Sequence, residues 1–304
     1  MFDYKKVITN KKARLTILNI LRFIPDKPML KIEYFIRTGE KLNLKNPVLF
    51  TEKLQWLKLY NRKDIYTDMV DKILAKKYIA EKVGEEYVVP LLGEWDSFDQ
   101  IDFSKLPDKF ILKCNHDSGS VILCENKDSF DFISAKKELS FHLKIDEYLL
   151  GREWPYKNVK RKIIAEEFLK GSEGSSGFAI KDYKFFCFNG KPKVMYISND
   201  RGDDSRTDFF DMDFNHLPLK MKDPNADICP EKPEKFDDMK RISEILSEGI
   251  PHLRVDFYYV KGKIYVGELT FFHNSGFTKV HPEEWNKIMG GWIDLSSVCN
   301  VNEE

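Results

Sequence analysis

The run from Leu253 to Asn274 limits the possible folds of this chain more than any other. Two stretches of strand-forming residues, Leu253–Val260 and Lys263–Thr270, are separated only by Lys261-Gly262. A two-residue link ending in glycine predicts a tight β-hairpin. Side chains alternate across a strand, so Arg254 and Asp256 share one face. With the turn at 261–262, Glu268 of the returning strand can lie beside Asp256. Val255, Phe257, Val266 and Leu269 flank these charges, which favours a buried polar face over a wet cross-strand Arg–Glu pair.

That face has a chemistry. Two carboxylates cannot share a dry site without a cation, and hard oxygen ligands suit Mg²⁺. A planar guanidinium at Arg254 suits a carboxylate or an acyl phosphate. A second informative run is Phe110–Cys124, where a strand carrying Lys113 leads into Asn-His-Asp-Ser-Gly-Ser and a second strand returns. Backbone N–H groups at Ser118, Gly119 and Ser120 are suited to phosphate oxygens, because glycine allows close approach. Alone, Lys113 reads more readily as a solvent-facing strand lysine. In a third run, Lys162–Leu169, a strand with Glu166 and Glu167 enters a Gly/Ser-rich stretch at 171–177. Such a strand end can present backbone to a base edge and an acid to an amino group or ribose hydroxyl.

Around these runs, helices are expected over much of 12–63, at 68–83, 134–150 and 236–248. Further strands are expected at 87–92, 182–188 and 193–198, the last two joined by Asn189-Gly190. Strands with few intervening helices indicate an α+β fold in two lobes rather than a doubly wound parallel sheet. The expected divisions are a basic, mostly helical segment at 1–63, a nucleotide lobe at 64–169, and a metal and substrate lobe at 170–304.

Net charge is zero, with 49 basic and 49 acidic residues, so the whole chain is not a polyanion binder and no nucleic-acid partner is expected. The balance is uneven. Residues 1–63 hold fifteen Lys/Arg against five Asp/Glu, and the remainder is acidic by the same margin of ten. A basic face meeting an anionic surface, peripherally an anionic membrane, is one expectation; a solvated helix face is the other. The five cysteines form no CxxC or Cys/His cluster, and they read as reduced core thiols of a cytoplasmic protein. No apolar run approaches the roughly 20 residues that cross a bilayer.

Taken in order, Lys113 with its glycine loop, Glu166-Glu-Phe-Leu169 and Arg254-Val-Asp256…Gly267-Glu-Leu-Thr270 resemble the ATP-grasp signature. The phrases Phe50-Thr-Glu-Lys-Leu-Gln-Trp-Leu57, Asp182-Tyr-Lys-Phe-Phe-Cys-Phe-Asn-Gly190 and Gly267-Glu-Leu-Thr-Phe271 are similar to the TupA-like ATP-grasp family, over about residues 45–295. The resemblance implies an ATP-grasp fold with ATP and Mg²⁺. It implies an amide-forming carboxylate–amine ligase acting through an acyl phosphate in bacterial surface polysaccharide (capsule, teichuronopeptide) biosynthesis. The implied partners are a carboxylate-bearing glycan or lipid-linked sugar and an amino acid or other amine, met at the cytoplasmic side, up to the inner face of the plasma membrane.

The same resemblance implies residue roles. Lys72 and Lys113 hold phosphates, and Ser118, Gly119 and Ser120 cover them. Glu166, Glu167 and Leu169 read adenine, and Asp182 or Glu173 takes ribose. Asp256 and Glu268 ligate magnesium, while Arg254 steadies the acyl phosphate. Lys184 shares the strand face of Asp182. The usual asparagine two residues after the second carboxylate is Thr270 here, so Asn274 stands in as third ligand or only two protein ligands exist. Asp200–Arg206 is expected to be a lid or clamp, with Arg201 and Arg206 for a sugar carboxylate. The competing expectation is a metal-dependent glycosyltransferase using Asp211-Met212-Asp213.

Overall fold

The computed structural model describes residues 11–169, 181–199 and 205–299. The chain opens with helices α1 (Lys11–Ile20), α2 (Asp26–Thr38) and α3 (Phe50–Tyr60), followed by α4 (Ile65–Val70) and α5 (Leu74–Val83). A four-stranded antiparallel sheet comes next, ordered β1-β4-β2-β3 from Leu91–Trp95, Ile163–Glu167, Phe110–Cys114 and Ile122–Cys124. Helix α6 (Phe132–His142) packs on it.

The second sheet is ordered β7-β6-β5-β8-β9. Its strands are β5 (Asp182–Phe188), β6 (Lys191–Asn199), β7 (Arg206–Asp211), β8 (His252–Val260) and β9 (Lys263–Thr270), again antiparallel throughout. Helices α7 (Phe236–Leu246) and α8 (Glu283–Trp292) complete this half. The α+β architecture with two separate sheets is the one expected from the sequence.

Local chemistry explains most element ends. Both hairpin turns take left-handed backbone at both residues, with φ of 48° and 79° at Asn189-Gly190 and 50° and 77° at Lys261-Gly262. That is the conformation a two-residue link between right-twisted strands needs. Asp131 caps α6 by accepting from the N–H groups of Ile133 and Ser134. In α7, Phe236, Met239, Ile242 and Leu246 recur at helical spacing and are buried against the second sheet. Each such side chain contributes roughly 1.5–3 kcal/mol by leaving water.

Three expectations shift, for identifiable reasons. The helix expected at 68–83 breaks at Asp71, whose carboxylate accepts from Ile73 N–H and from the Asn115 carboxamide, both at 2.9 Å. Side-chain bonds of this kind compete with the helical ladder. The helix expected to reach Leu150 ends at His142, and the Ile145 carbonyl faces the His116 ring at 3.2 Å instead. The strand expected from Tyr87 begins at Leu91, after Pro90, which has no N–H to give a ladder. β7 and α8 were not anticipated.

The main core joins Phe50, Leu54 and Leu57 of α3 to β5, β8 and β9, so α3 packs on the second sheet despite its early place in the chain. A smaller core lies between β2, β4 and α6. Cys114, Cys124 and Cys187 are buried free thiols as expected, whereas Cys229 is exposed.

Candidate active site

The second sheet gathers the charges of the predicted hairpin. Asp256 pairs with Glu268 across β8–β9, Arg254 pairs with Thr270, and Lys184 of β5 pairs with Asp256 from the other side. Arg254 grips Asp256 through two parallel bonds of 2.7 Å, Nε to Oδ1 and Nη2 to Oδ2. Lys184 Nζ donates to the same carboxylate at 2.7 Å and lies 3.3 Å from Asp182. Arg254 also donates to Thr270 Oγ1 at 3.1 Å and lies 3.8 Å from Glu268.

Burial sharpens these interactions. It disfavours the charge on Asp256, but Arg254 and Lys184 outweigh it and hold that carboxyl below the usual range. Asp182 goes the other way: burial raises it, and the opposing pull of Lys184 is insufficient. Lys184 is raised, because Asp256 and Asp182 overcome the cost of burying its charge.

His273 follows from Arg254. Burial and the neighbouring guanidinium depress the imidazole well below its ordinary value, so the ring is neutral. Arginine can only donate, so the Nδ1 that it meets at 2.6 Å accepts. The ring proton is therefore on Nε2, which lies 3.1 Å from the Asn274 carboxamide. Amide oxygen and nitrogen are distinguished by such networks, and this one calls for the oxygen toward the ring. A second lone pair on that oxygen is left for another partner.

Asn274 and Ser275 both have left-handed backbone, with φ of 48° and 56°. Such residues persist where their surroundings over-determine them. Here α3 supplies the restraint. Lys58 Nζ donates to the carbonyls of Ser275 and Gly151, and Gln55 Nε2 donates to those of Ser275 and Gly276, all within 3.0 Å.

The first sheet brings the phosphate-suited groups. Lys113 Nζ lies 2.5 Å from Glu166 Oε2, and Lys76 Nζ lies 2.9 Å from Oε1. Burial works against ionised Glu166, yet the two lysines hold its pKa below the ordinary value. Lys72 Nζ donates to the Asp117 carbonyl at 2.5 Å, in the loop after β2. Lys72, Lys76, Glu166 and Glu268 line one narrow cleft between the sheets.

The loop after β2 is built on a buried network. Ser120 Oγ accepts from Cys114 N–H and donates to Asp117, whose other oxygen contacts His142 Nδ1; His142 Nε2 meets Glu138 at 3.1 Å. Ser118 and Gly119 are exposed, and Gly119 has φ of 92°, where a side chain would be strained.

A cavity of about 390 Å³ is lined by Ser118 from this loop and by Asp182, Lys184, Arg254, Glu268 and Asn274 from the second sheet and its exit. The structure thus assembles residues from distant parts of the chain around one space. Glu166 is engaged as counter-ion to two lysines, one on each carboxylate oxygen. The Ser120 hydroxyl is committed inside its loop, where it ties Cys114 N–H to Asp117 and so holds the backbone of 118–120 in place. Glu167 is exposed, and Leu169 is buried with Val89 and Val260. Arg201 and Glu173 lie outside the described residues. Arg206 is present on β7, where its Nη1 lies 3.5 Å from the Asn225 carbonyl.

Asp211 spends its carboxylate on its own turn, accepting from the N–H groups of Asp213 and Asn215, and Asp213 is exposed. That is the geometry of a turn residue. A larger, more open depression of about 630 Å³ between β3 and α6 contains none of the clustered lysines or the Asp256 group.

Sequence reasoning missed Lys76, His273, Gln55, Lys58 and the Asp117–His142 contact. Lys76 follows Lys72 by four residues, a spacing that signals one helix face. The other contacts join segments far apart in the chain and leave no local pattern.

Among the described residues no group of three or more His, Cys, Asp or Glu side chains could hold a metal alone. Asp256, Glu268 and Asn274 are all oxygen donors at one site, with Asp256 already compensated by two cations. That set fits a hard cation that completes its coordination with phosphate oxygens and water, as Mg²⁺ does. Lys72, Lys76 and Lys113 beside an open glycine loop fit a polyphosphate.

A family profile described as TupA-like ATPgrasp matches residues 52–294. No curated protein sequence matches. Solved structures with similarity include the D-alanine–D-alanine ligase of Bacillus anthracis complexed with ATP (15% identity, 78% of this chain and 67% of that one, TM-score 0.43). The Helicobacter pylori D-alanine–D-alanine ligase gives 16%, 80%, 69% and 0.43. The N5-carboxyaminoimidazole ribonucleotide synthetase of Thermus thermophilus gives 12%, 68%, 46% and 0.40. A further structure of the Bacillus anthracis enzyme is spanned over 57% of its length.

Proposed function

Because the chain belongs to the TupA-like ATP-grasp family, we propose that it is an ATP-dependent carboxylate–amine ligase forming an amide through an acyl phosphate. The observation that carries this reading is that Glu268 lines two spaces, a cleft holding lysines and a cavity holding Arg254 and Lys184. Lys72, Lys76 and Glu166, the partner of Lys113, line the cleft; Lys184 and Arg254, which share Asp256, line the cavity.

Mg-ATP would supply the phosphoryl group that activates the carboxylate. The chain's own residues do the rest. Lys72 and Lys113 would hold phosphate oxygens, and the backbone at Ser118 and Gly119 would close over them. Glu268 and Asp256, with Asn274 oriented by His273, would hold the cation. Asp182 lines the cavity where a ribose hydroxyl is a fitting partner, and the backbone near Glu167 and Leu169 is suited to a base edge.

Arg254 is fixed by Asp256 and Thr270 before any substrate arrives. A preorganised guanidinium stabilises developing negative charge without reorganising at the moment of reaction. Lys184 adds a second fixed cation beside it.

The finer reading is that the carboxylate belongs to a uronic-acid sugar of a bacterial surface polysaccharide and the nucleophile is an amino acid or another amine. Arg201 and Arg206 are assigned to the sugar carboxylate, and the reaction to the cytoplasm, up to the inner membrane face. ADP release with Mg-ATP, measured across amino acids and uronic-acid oligosaccharides, tests both levels. ADP formation that needs both an amine and a uronate supports the whole reading. Dependence on a different carboxylate keeps the ligase and removes the glycan.

A further inference from the structure

Among the described residues, nothing covers one face of the helices that precede α3. α2 buries Met29, Leu30, Glu33, Tyr34 and Thr38. Lys31, Ile32, Phe35 and Ile36 follow one another round its opposite side, and all four are exposed. Phe35 is 56% exposed, and Phe23 in the turn before α2 reaches 77%; Ile20 of α1 stands at 64%. Ile32, Phe35 and Ile36 are neighbours by helical spacing, and a contiguous apolar stripe left in water marks an interaction surface.

The charges sort by face as well. Asp26 and Glu33 are the only acidic residues from Lys11 to Gly39; Glu33 is buried and Asp26 half-buried. Asp26 accepts from Arg62 at 2.7 Å and contacts Tyr148 and Arg152; Glu33 is buried beside Arg37. Arg22, Lys27 and Lys31 stay exposed. The exposed residues of this stretch are thus aromatic, aliphatic and cationic, and its two acids are each paired with a basic side chain.

We propose that α1, the Leu21–Phe23 turn and α2 seat the protein on an anionic lipid bilayer. Phe23 and Phe35 enter the boundary between headgroups and acyl chains, and Arg22, Lys27 and Lys31 meet lipid phosphates. Basic residues around an exposed apolar stripe bind such an interface by both forces at once. No described helix is long and apolar enough to cross a membrane, so the contact is peripheral. A second copy of the chain is the poorer occupant, because two like-charged faces repel. The inference rests on this surface alone and is independent of the ligase reading.

The test is co-sedimentation of the full chain with vesicles of phosphatidylcholine alone or with roughly a third phosphatidylglycerol. Partitioning is expected to be at least about tenfold stronger on the anionic vesicles and to weaken as salt rises. Phe23→Ser with Phe35→Ser, and separately Lys27→Glu with Lys31→Glu, should each reduce it about tenfold or more without moving Tm. Absence of binding at low salt, equal binding to neutral vesicles, or variants that bind like the parent overturn the proposal. A concentration-dependent dimer abolished by the Phe23→Ser and Phe35→Ser pair, with no vesicle binding, assigns the face to a second copy instead.

Discussion

Lys184 and Asp256 face each other from neighbouring strands, with Nζ 2.7 Å from Oδ2, while Arg254 holds the same carboxylate from within its own strand. One buried acid therefore compensates two cations. Glu268, directly across from Asp256 on β9, keeps 35% of its side chain exposed and makes only a 3.8 Å approach to Arg254. The two carboxylates are neighbours with different surroundings.

Their substitutions should separate accordingly. Asp256→Asn leaves two buried cations without their counter-charge and should lower stability by about 3–5 kcal/mol in urea unfolding. Glu268→Gln should shift stability by no more than about 0.5 kcal/mol while reducing turnover by about 100-fold or more. The acid limb adds a check. Arg254 and Lys184 hold Asp256 below its unfolded value against the effect of burial, so its contribution is present above about pH 4 and is lost as pH falls through the folded pKa. Asp256→Asn should remove that part of the acid sensitivity. A variant as stable as the parent across the range contradicts the assignment.

The loop that would cover phosphate depends on His142. Its imidazole contacts the buried Asp117 carboxylate, and the Asp117 carbonyl positions Lys72. His142→Leu should cost about 2–4 kcal/mol, since it leaves a buried carboxylate short of a partner. ATP affinity should fall with it, whereas His142→Asn, which can still donate to Asp117, should recover much of both. Isothermal titration on the folded variants reads the affinity. Equal ATP binding by the parent and His142→Leu would detach the network from nucleotide binding.

The positions of the clustered residues were readable only in part. The two-residue turns, the alternation along β8 and β9, and the glycine loop after β2 are local patterns, and each appears where expected. Asp256 beside Glu268 followed from the hairpin alone. What the sequence withheld was partner choice between strands. Nothing near Glu166 announces that both its oxygens go to Lys76 and Lys113, and nothing near Lys58 that it fastens the Ser275 backbone from across the chain. β7 was missed because Arg206–Asp211 follows a highly polar run, and its strand character comes from pairing with β6.

Glu147 gives a pH signature near neutrality. Burial raises its carboxyl to about 8, with the charges of Glu153, Asp117 and Glu268 acting the same way and Lys72 opposing. A carboxyl raised on folding stabilises fully below its unfolded pKa of about 4.3, and that stability is lost as pH climbs through the folded value. Glu147→Gln should therefore have a higher Tm than the parent at about pH 8, and the gap should close toward about pH 4. A difference that stays constant between these limits would mean that Glu147 does not titrate there.

Nucleotide choice can be read from thermal stability. A ligand at about a hundred times its Kd adds roughly 2.7 kcal/mol, so Mg-ATP should raise Tm clearly and UDP-sugars should not. Stabilisation by a UDP-sugar alone would return Asp211 and Asp213 to consideration as metal ligands.

The central claim is that the substrate carboxylate is activated by phosphoryl transfer before an amine attacks. It is tested most directly with a uronate whose carboxylate oxygens carry a heavy isotope, incubated with Mg-ATP, the amine panel and the enzyme. Mass spectrometry of the released phosphate is predicted to find one labelled oxygen for each amide formed, because amine attack leaves that oxygen with the phosphate. Amide formation with all the label retained in the organic product, and none in phosphate, would contradict the account.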